Sequence, residues 1–158
     1  RNDPRAQALT TTSGGTSIIT DNTFEWGDDN FVAPKPHEQV IYELHVGTFY
    51  RPDPATTGTF DDVIEKLPYL RDLGINMIEL MPVQAMSADR GWGYATSYLH
   101  AVESLYGGRQ GLLELVRAAH SHGIGVILDI VFNHFGPDQS GLDLWQFDGW
   151  HEHDMGGI

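Results

Sequence analysis

The run Gly125-Val126-Ile127-Leu128-Asp129-Ile130-Val131-Phe132 is apolar at alternate and intervening positions alike, with Asp129 its one break. A strand with no polar face must be covered on both sides, which is the situation of a parallel strand lying under crossover helices. Two earlier runs have a similar character. Val40-Ile41-Tyr42-Glu43-Leu44-His45-Val46 is β-branched and aromatic and reads as a first strand. Ile75-Asn76-Met77-Ile78-Glu79-Leu80-Met81 reads as a second, ended by Pro82.

Helical patterns fill the intervals. Thr59 is placed to cap a helix, with Asp62 three residues on as its capping-box partner. Phe60, Val63, Ile64, Leu67, Leu70 and Leu73 follow at helical spacing and Gly74 supplies the stop. Pro68 inside this pattern removes one backbone donor and is expected to kink the helix. A second helix is expected from about Arg109 to His122, with Leu112, Leu113, Val116 and Ala119 as its buried stripe and Gly123 closing it. Strand, helix, strand, helix, strand is a right-handed parallel unit, shared by open doubly wound sheets and (β/α) barrels. A dinucleotide-binding sheet would place G-x-G-x-x-G after its first strand. Gly47-Thr48-Phe49-Tyr50-Arg51-Pro52 does not supply it, so the barrel is preferred.

Residues 1–38 show no helical period and are punctuated by Thr10-Thr11-Thr12-Ser13-Gly14-Gly15, Pro34 and Pro36. They read as a connecting arm with one short strand near Ser17 to Thr20, pinned to a neighbouring surface by Phe24 and Trp26. The net charge of -13 disfavours nucleic acid and anionic membranes as partners, while a neutral sugar meets no such repulsion. The absence of cysteine excludes disulfides and thiol chemistry. No apolar run is long enough to span a membrane, and a cytoplasmic protein is expected.

The connection between Pro82 and Gly108 is long and carries Asp89-Arg90-Gly91-Trp92-Gly93-Tyr94. Long strand-to-helix loops in barrels lie on the catalytic face, and the segment after Phe132 leaves from the same face. Two stretches rich in aromatic and polar groups therefore converge on one rim.

Three of these segments resemble signatures of the α-amylase family of glycoside hydrolases. Asp129-Ile130-Val131-Phe132-Asn133-His134 is similar to the family's third-strand signature, and Gly74-Ile75-Asn76-Met77-Ile78-Glu79-Leu80-Met81-Pro82 to its second. Gly91-Trp92-Gly93-Tyr94, followed by Ser104-Leu105-Tyr106-Gly107-Gly108, resembles the loop between them. Within the family, Val40 to Phe49 looks most like branching enzymes and malto-oligosyltrehalose trehalohydrolases. The fold implied is α/β: part of a (β/α)8 TIM barrel, its first three strands and two crossover helices, preceded by an irregular arm. Residues 1–38 would be the arm leaving an upstream β-sandwich domain. Residues 39–158 would be the N-terminal portion of the catalytic barrel, truncated after the third strand.

The resemblance implies retaining cleavage or transfer of α-1,4-linked glucans, most like branching, which requires a nucleophilic carboxylate and an acid/base carboxyl. In the family these follow the fourth and fifth strands. The nucleophile's G-[FY]-R-x-D context occurs nowhere in the chain, so no catalytic carboxyl is expected here and the chain alone is expected to be inactive. A supporting half-site remains. Tyr94 resembles the residue that stacks under the sugar being cleaved, and His134 the histidine that hydrogen-bonds it. Asp129 resembles the carboxylate that orients an arginine beside the nucleophile. Trp92 is a third substrate-contact candidate, with packing inside its own loop as the preferred alternative. Asn133 falls where many amylases place a calcium ligand. Branching-type members commonly lack that ion, so no cofactor is expected to be required and calcium is left open.

Other polar groups have structural readings. Glu43, His45 and Glu79 are expected to hydrogen-bond within the barrel. His120 and His122 belong to a helix end, where positive charge suits the dipole. His151-Glu152-His153-Asp154 reads as a solvated loop before it reads as a metal site. The expected partners are an α-glucan oligosaccharide or polysaccharide and either the missing half of the barrel or further copies of the chain. A non-catalytic glucan-binding or interaction module is the competing reading.

Overall fold

The structure is a computed structural model that describes residues 3, 5–10, 16–86, 91–134 and 136. Three strands, β1 (Ile41–Leu44), β2 (Met77–Leu80) and β5 (Gly125–Leu128), pair in parallel in the order β1-β2-β5. Two crossover helices, α2 (Phe60–Asp72) and α3 (Gly108–Ser121), connect them and pack against each other. This is one wall of a (β/α) barrel with its first two outer helices, as the apolar runs require. A single helical turn, α1 (Val46–Phe49), follows β1.

The register fixes which residues share a face. Leu44, Ile78 and Leu80 point to the helices and join Phe60, Val63, Leu67, Leu70, Leu115 and Ala119 in one buried core. The alternate positions, Ile41 and Glu43 on β1, Met77 and Glu79 on β2 and Ile127 on β5, form the opposite, inner face. Asp129 continues that alternation one step past β5, its N–H bonded to the Leu80 carbonyl.

The cap on α2 is as the sequence predicts. Asp62 donates its N–H to the Thr59 hydroxyl, and Thr59 donates its own N–H to Asp62 Oδ2 at 2.8 Å. The helix runs through Pro68 from Phe60 to Asp72 without interruption. Leu73 does not belong to the buried stripe: it is the C-cap of the helix and is 55% exposed. On α3 Ala119 is buried as expected, but the other buried position is Leu115 rather than Leu113 or Val116, with Leu112 packed beside the core.

The segment from Pro82 to Gly108 is not simply a loop. It contains a small antiparallel sheet, β3 (Gln84–Met86) with β4 (Thr96–Val102), and a 3₁₀ turn at Ser104–Tyr106. Glu103 joins these parts. Its side chain is buried and accepts N–H groups from Met86 (3.3 Å) and Leu105 (2.9 Å), while its own N–H reaches the Val83 carbonyl. A buried carboxylate is tolerated where such donors surround it.

The arm packs on this hairpin and on α3. Ala6 and Leu9 enter a second small core with Ala85, Tyr98 and Ala101. The strand expected near Ser17 to Thr20 reduces to a single bridge between Leu9 and Ser17, and Ile19 is fully exposed. The side chains of Arg109 and Arg117 hold the carbonyls of Asn22 and Glu25, and Phe31 stacks on His120 at 4.3 Å. Phe24 meets Trp26 edge-on within the arm and lies under the Arg117 guanidinium of α3 at 5.4 Å, while Trp26 stays 39% exposed. Among the described residues no helix is long and apolar enough to cross a membrane.

Candidate functional site

The C-terminal ends of β1, β2 and β5 form one rim, and the segment after β2 folds back over it. Gly93 makes that return feasible. It has φ +91°, and a Cβ there would sit 2.2 Å from the Pro82 carbonyl oxygen, so only glycine allows the two backbones to meet. On either side of Gly93, Trp92 and Tyr94 are delivered to different parts of the rim.

Tyr94 reaches the end of β5. Its hydroxyl donates to Asp129 Oδ2 at 2.8 Å, and its backbone carbonyl lies 3.0 Å from His134 Nε2. A carbonyl only accepts, so Nε2 carries the proton, and Nδ1 is left to accept from the Asn133 amide at 2.7 Å. The structure therefore brings together the three principal residues singled out from sequence, Tyr94, Asp129 and His134. The hydrogen bond to Asp129, then burial and the charges of Asp129, Glu43 and Glu79, push the Tyr94 phenol above its ordinary value. The phenol stays a donor.

The segment after β5 is fastened by a second close approach. Gly136 donates its N–H to the Thr96 carbonyl at 2.8 Å, and a Cβ on it would lie 2.5 Å from the Ala95 carbonyl oxygen. Ala95 is thus part of the seat for the His134 segment.

Glu43 and Glu79 are register partners on the inner face. Their part at the site is their charge, which faces Tyr94. His45 does hydrogen-bond internally, as expected. Its Nδ1 pairs with the Thr48 hydroxyl at 3.0 Å, and its Nε2 with the Gly91 carbonyl at 3.0 Å and the Tyr106 hydroxyl at 3.1 Å. His120 pairs with Asp29 at 2.7 Å, while His122 caps α3 through the Ala118 carbonyl.

Trp92 departs from the preferred reading. Its indole does not fill the interior of its loop but is 72% exposed, at the edge of a cavity of about 370 Å³ lined also by His45, Thr48, Arg51 and Tyr106. The sequence gives no direct sign of this cavity, because Arg51 lies outside the motifs and Thr48, though inside the resemblance at 40–49, has no role assigned by it. Their one signal was proximity to the end of the first strand.

Asn133, the calcium candidate, commits its amide to His134. Among the described residues no group of three or more His, Asp or Glu is placed to hold a metal ion. His151-Glu152-His153-Asp154, like Asp89 and Arg90, lies outside the described residues.

The chain and its fold have counterparts among known proteins. The family model described as alpha amylase, catalytic domain, matches residues 43–143. A malto-oligosyltrehalose trehalohydrolase of Saccharolobus solfataricus is 48% identical over 124 residues, covering 78% of this chain and 21% of the relative. A 1,4-alpha-glucan branching enzyme of Bacillus cereus is 34% identical over 155 residues, covering 93% of this chain and 24% of the relative. A proposed alpha amylase of Salmonella typhimurium, solved by crystallography, superposes with a TM-score of 0.79 at 39% identity, over 90% of this chain and 24% of that one. The chain spans about a fifth to a quarter of the length of these relatives.

Proposed function

The chain belongs to the alpha-amylase family, and from that premise we propose that the protein carrying it acts on α-1,4-linked glucans with retention of configuration, as a hydrolase or transglycosylase. One observation carries this reading: Tyr94, Asp129 and His134, drawn from two separate segments, meet through two hydrogen bonds at the C-terminal edge of the parallel strands.

In this reading each residue positions substrate or machinery. The Tyr94 ring, 37% exposed and fixed at its hydroxyl, offers a face to the apolar side of a glucosyl unit. His134 keeps its Nε2–H bond to Tyr94 and exchanges the exposed Asn133 contact for a sugar hydroxyl. Asp129 accepts from Tyr94 with one oxygen and presents the other to a cationic side chain, the arginine that the family places beside its nucleophile. The nucleophile and the acid/base carboxyl come from later strands.

The stronger likeness to the trehalohydrolase supports hydrolysis that frees trehalose from a malto-oligosyltrehalose. Branching is the second reading, supported by a match that runs through more of the chain, arm included. Assays of the full-length protein separate them. Trehalose released from malto-oligosyltrehalose supports the first, and a falling iodine stain with new branch points in amylose supports the second. No product from any α-glucan would refute both.

A further inference from the structure

The arm meets α3 at the end remote from the rim. From Gly108 the helix runs 14 residues, about 21 Å, to Ser121. Gly27, at φ +68°, turns the arm between Trp26 and Asp28 over these last residues of the helix. Phe31 reaches the start of β5, where a Cβ on Gly125 would lie 3.1 Å from its ring. Between the arm and the helix end is a cavity of about 560 Å³, larger than the one beside Trp92 and of the size that small ligands occupy.

Asp29 fastens this cavity. It meets His120 Nδ1 at 2.7 Å and accepts the Phe31 N–H at 3.0 Å, and Phe31 lies flat on the imidazole. The two bonds, that of His120 first, hold the Asp29 carboxyl below the usual carboxylate range. What the clasp leaves over is a set of acceptors. The Asp28 carboxylate has no hydrogen-bond or ion-pair partner among the described residues. Asn30 spends its amide N–H on the Asp28 carbonyl and keeps its oxygen. His120 keeps its second ring nitrogen. The Trp26 indole, braced edge-on by Phe24 and 39% exposed, adds an aromatic face.

An aromatic face beside an acceptor-rich wall selects a ligand with donors on one side and an apolar surface on the other. Asp28 and Asp29 repel an anion. A metal ion finds no group of three or more His, Asp or Glu placed to hold it among the described residues. An organic cation meets the Arg117 guanidinium in the same wall, held there by the Glu25 carbonyl and Glu114. A neutral pyranose satisfies each condition, with its C–H face on the indole and its vicinal hydroxyls donating to Asp28, Asn30 and His120.

We infer that this cavity is a saccharide-holding site away from the rim, which binds one stretch of glucan against Trp26 while Tyr94 and His134 engage another. The inference takes the identity of its sugar from the α-glucan reading above.

The test is affinity electrophoresis of the full-length protein in gels with and without amylopectin. It is run on Tyr94→Ala, which weakens the rim, and on that variant with Trp26→Ala or Asp28→Asn added. Tyr94→Ala should still be retarded, and either addition should weaken the remaining affinity about tenfold. Asp28→Asn keeps side-chain size, so it decides the matter if thermal melts show that Trp26→Ala loosens the arm. A Tyr94→Ala protein that is not retarded, or whose retardation neither addition changes, overturns this inference, and turnover of glucans by the wild type would leave the α-glucan reading standing. In calorimetric titrations, spermidine binding that Asp28→Asn abolishes, with maltoheptaose binding unaltered, overturns the neutral-saccharide assignment. A wild type inert toward every α-glucan, yet retarded through Trp26 and Asp28, supports this site and removes the catalytic reading alone.

Discussion

The hydroxyl of Tyr94 donates a 2.8 Å hydrogen bond to Oδ2 of Asp129, fastening the segment after β2 to the end of β5. The bond fixes the aromatic ring and occupies one oxygen of the carboxylate. Tyr94→Phe keeps the ring and loses the anchor, and should lower kcat/KM on α-glucans about tenfold, in keeping with one lost hydrogen bond to a charged acceptor. Tyr94→Ala should lose more and weaken binding as well. Steady-state kinetics of the two variants check this, and equal effects would show that the ring contributes nothing.

His134 is coupled to the same residue through the Tyr94 carbonyl. His134→Ala should lower kcat and kcat/KM together, as expected of a contact that strengthens toward the transition state. Combined with Tyr94→Phe it should be non-additive by about 0.5–2 kcal/mol, since each residue helps to place the other. A double-mutant cycle that closes to zero would show two independent residues.

Gly93 and Gly74 both have φ +91°, yet they should respond differently to alanine. At Gly74 a Cβ meets nothing within 4 Å, so only the backbone cost of about 1 kcal/mol applies. At Gly93 a Cβ collides with Pro82, and the segment bearing Trp92 and Tyr94 must move. Gly93→Ala should abolish most activity while Gly74→Ala retains it, as assay and thermal melting in parallel would show.

The difference between these glycines also shows how far the sequence could be read. Gly74 marks the end of a helical pattern and Gly93 stands inside the Gly91-Trp92-Gly93-Tyr94 motif, but that Gly93 lies against a carbonyl depends on how the segment returns across the rim. Thr59, Asp62 and the three strand runs were legible because capping and period are local. Tyr94, Asp129 and His134 were legible through their resemblance to the family's signatures, on two stretches that leave the same barrel edge. The hairpin of β3 and β4 was not, since Gln84–Met86 is short and its pairing is irregular. Nor was the cavity of Thr48 and Arg51, which exists only once His45 draws Gly91 across the end of β1.

Tyr106 gives a pH dependence. It is buried, and desolvation first, then the charge of Glu103, pushes its phenol from 10.0 up to about 12. The unfolded chain therefore releases this proton before the folded one does. The stabilisation is fully present below pH 10, and it is lost as the pH rises from 10 toward 12. Over that window it amounts to about 3 kcal/mol. Tyr106→Phe should flatten the decline of stability in this range, as denaturant melts at pH 9, 10 and 11 would record. An unchanged slope would show that Tyr106 is not the titrating group.

Among the described residues the three-stranded sheet ends in β1 on one side and β5 on the other, with Ile41, Leu128 and Phe132 47%, 40% and 70% exposed. Unpaired edges flanked by apolar side chains promote association. The 158-residue chain produced alone should self-associate and should neither hydrolyse nor branch starch. Sedimentation together with a reducing-sugar assay tests both points. A compact, cooperatively melting monomer would contradict the first, and activity in pure protein the second.

The central claim is that the rim formed by Tyr94, Asp129 and His134 holds a glucosyl unit. A crystal structure of the full-length protein with a malto-oligosaccharide tests it most directly. The account predicts one glucose ring stacked on Tyr94, with a hydroxyl within hydrogen-bond distance of His134. A glucan bound only at sites away from these residues, with Tyr94 facing empty solvent, would contradict it.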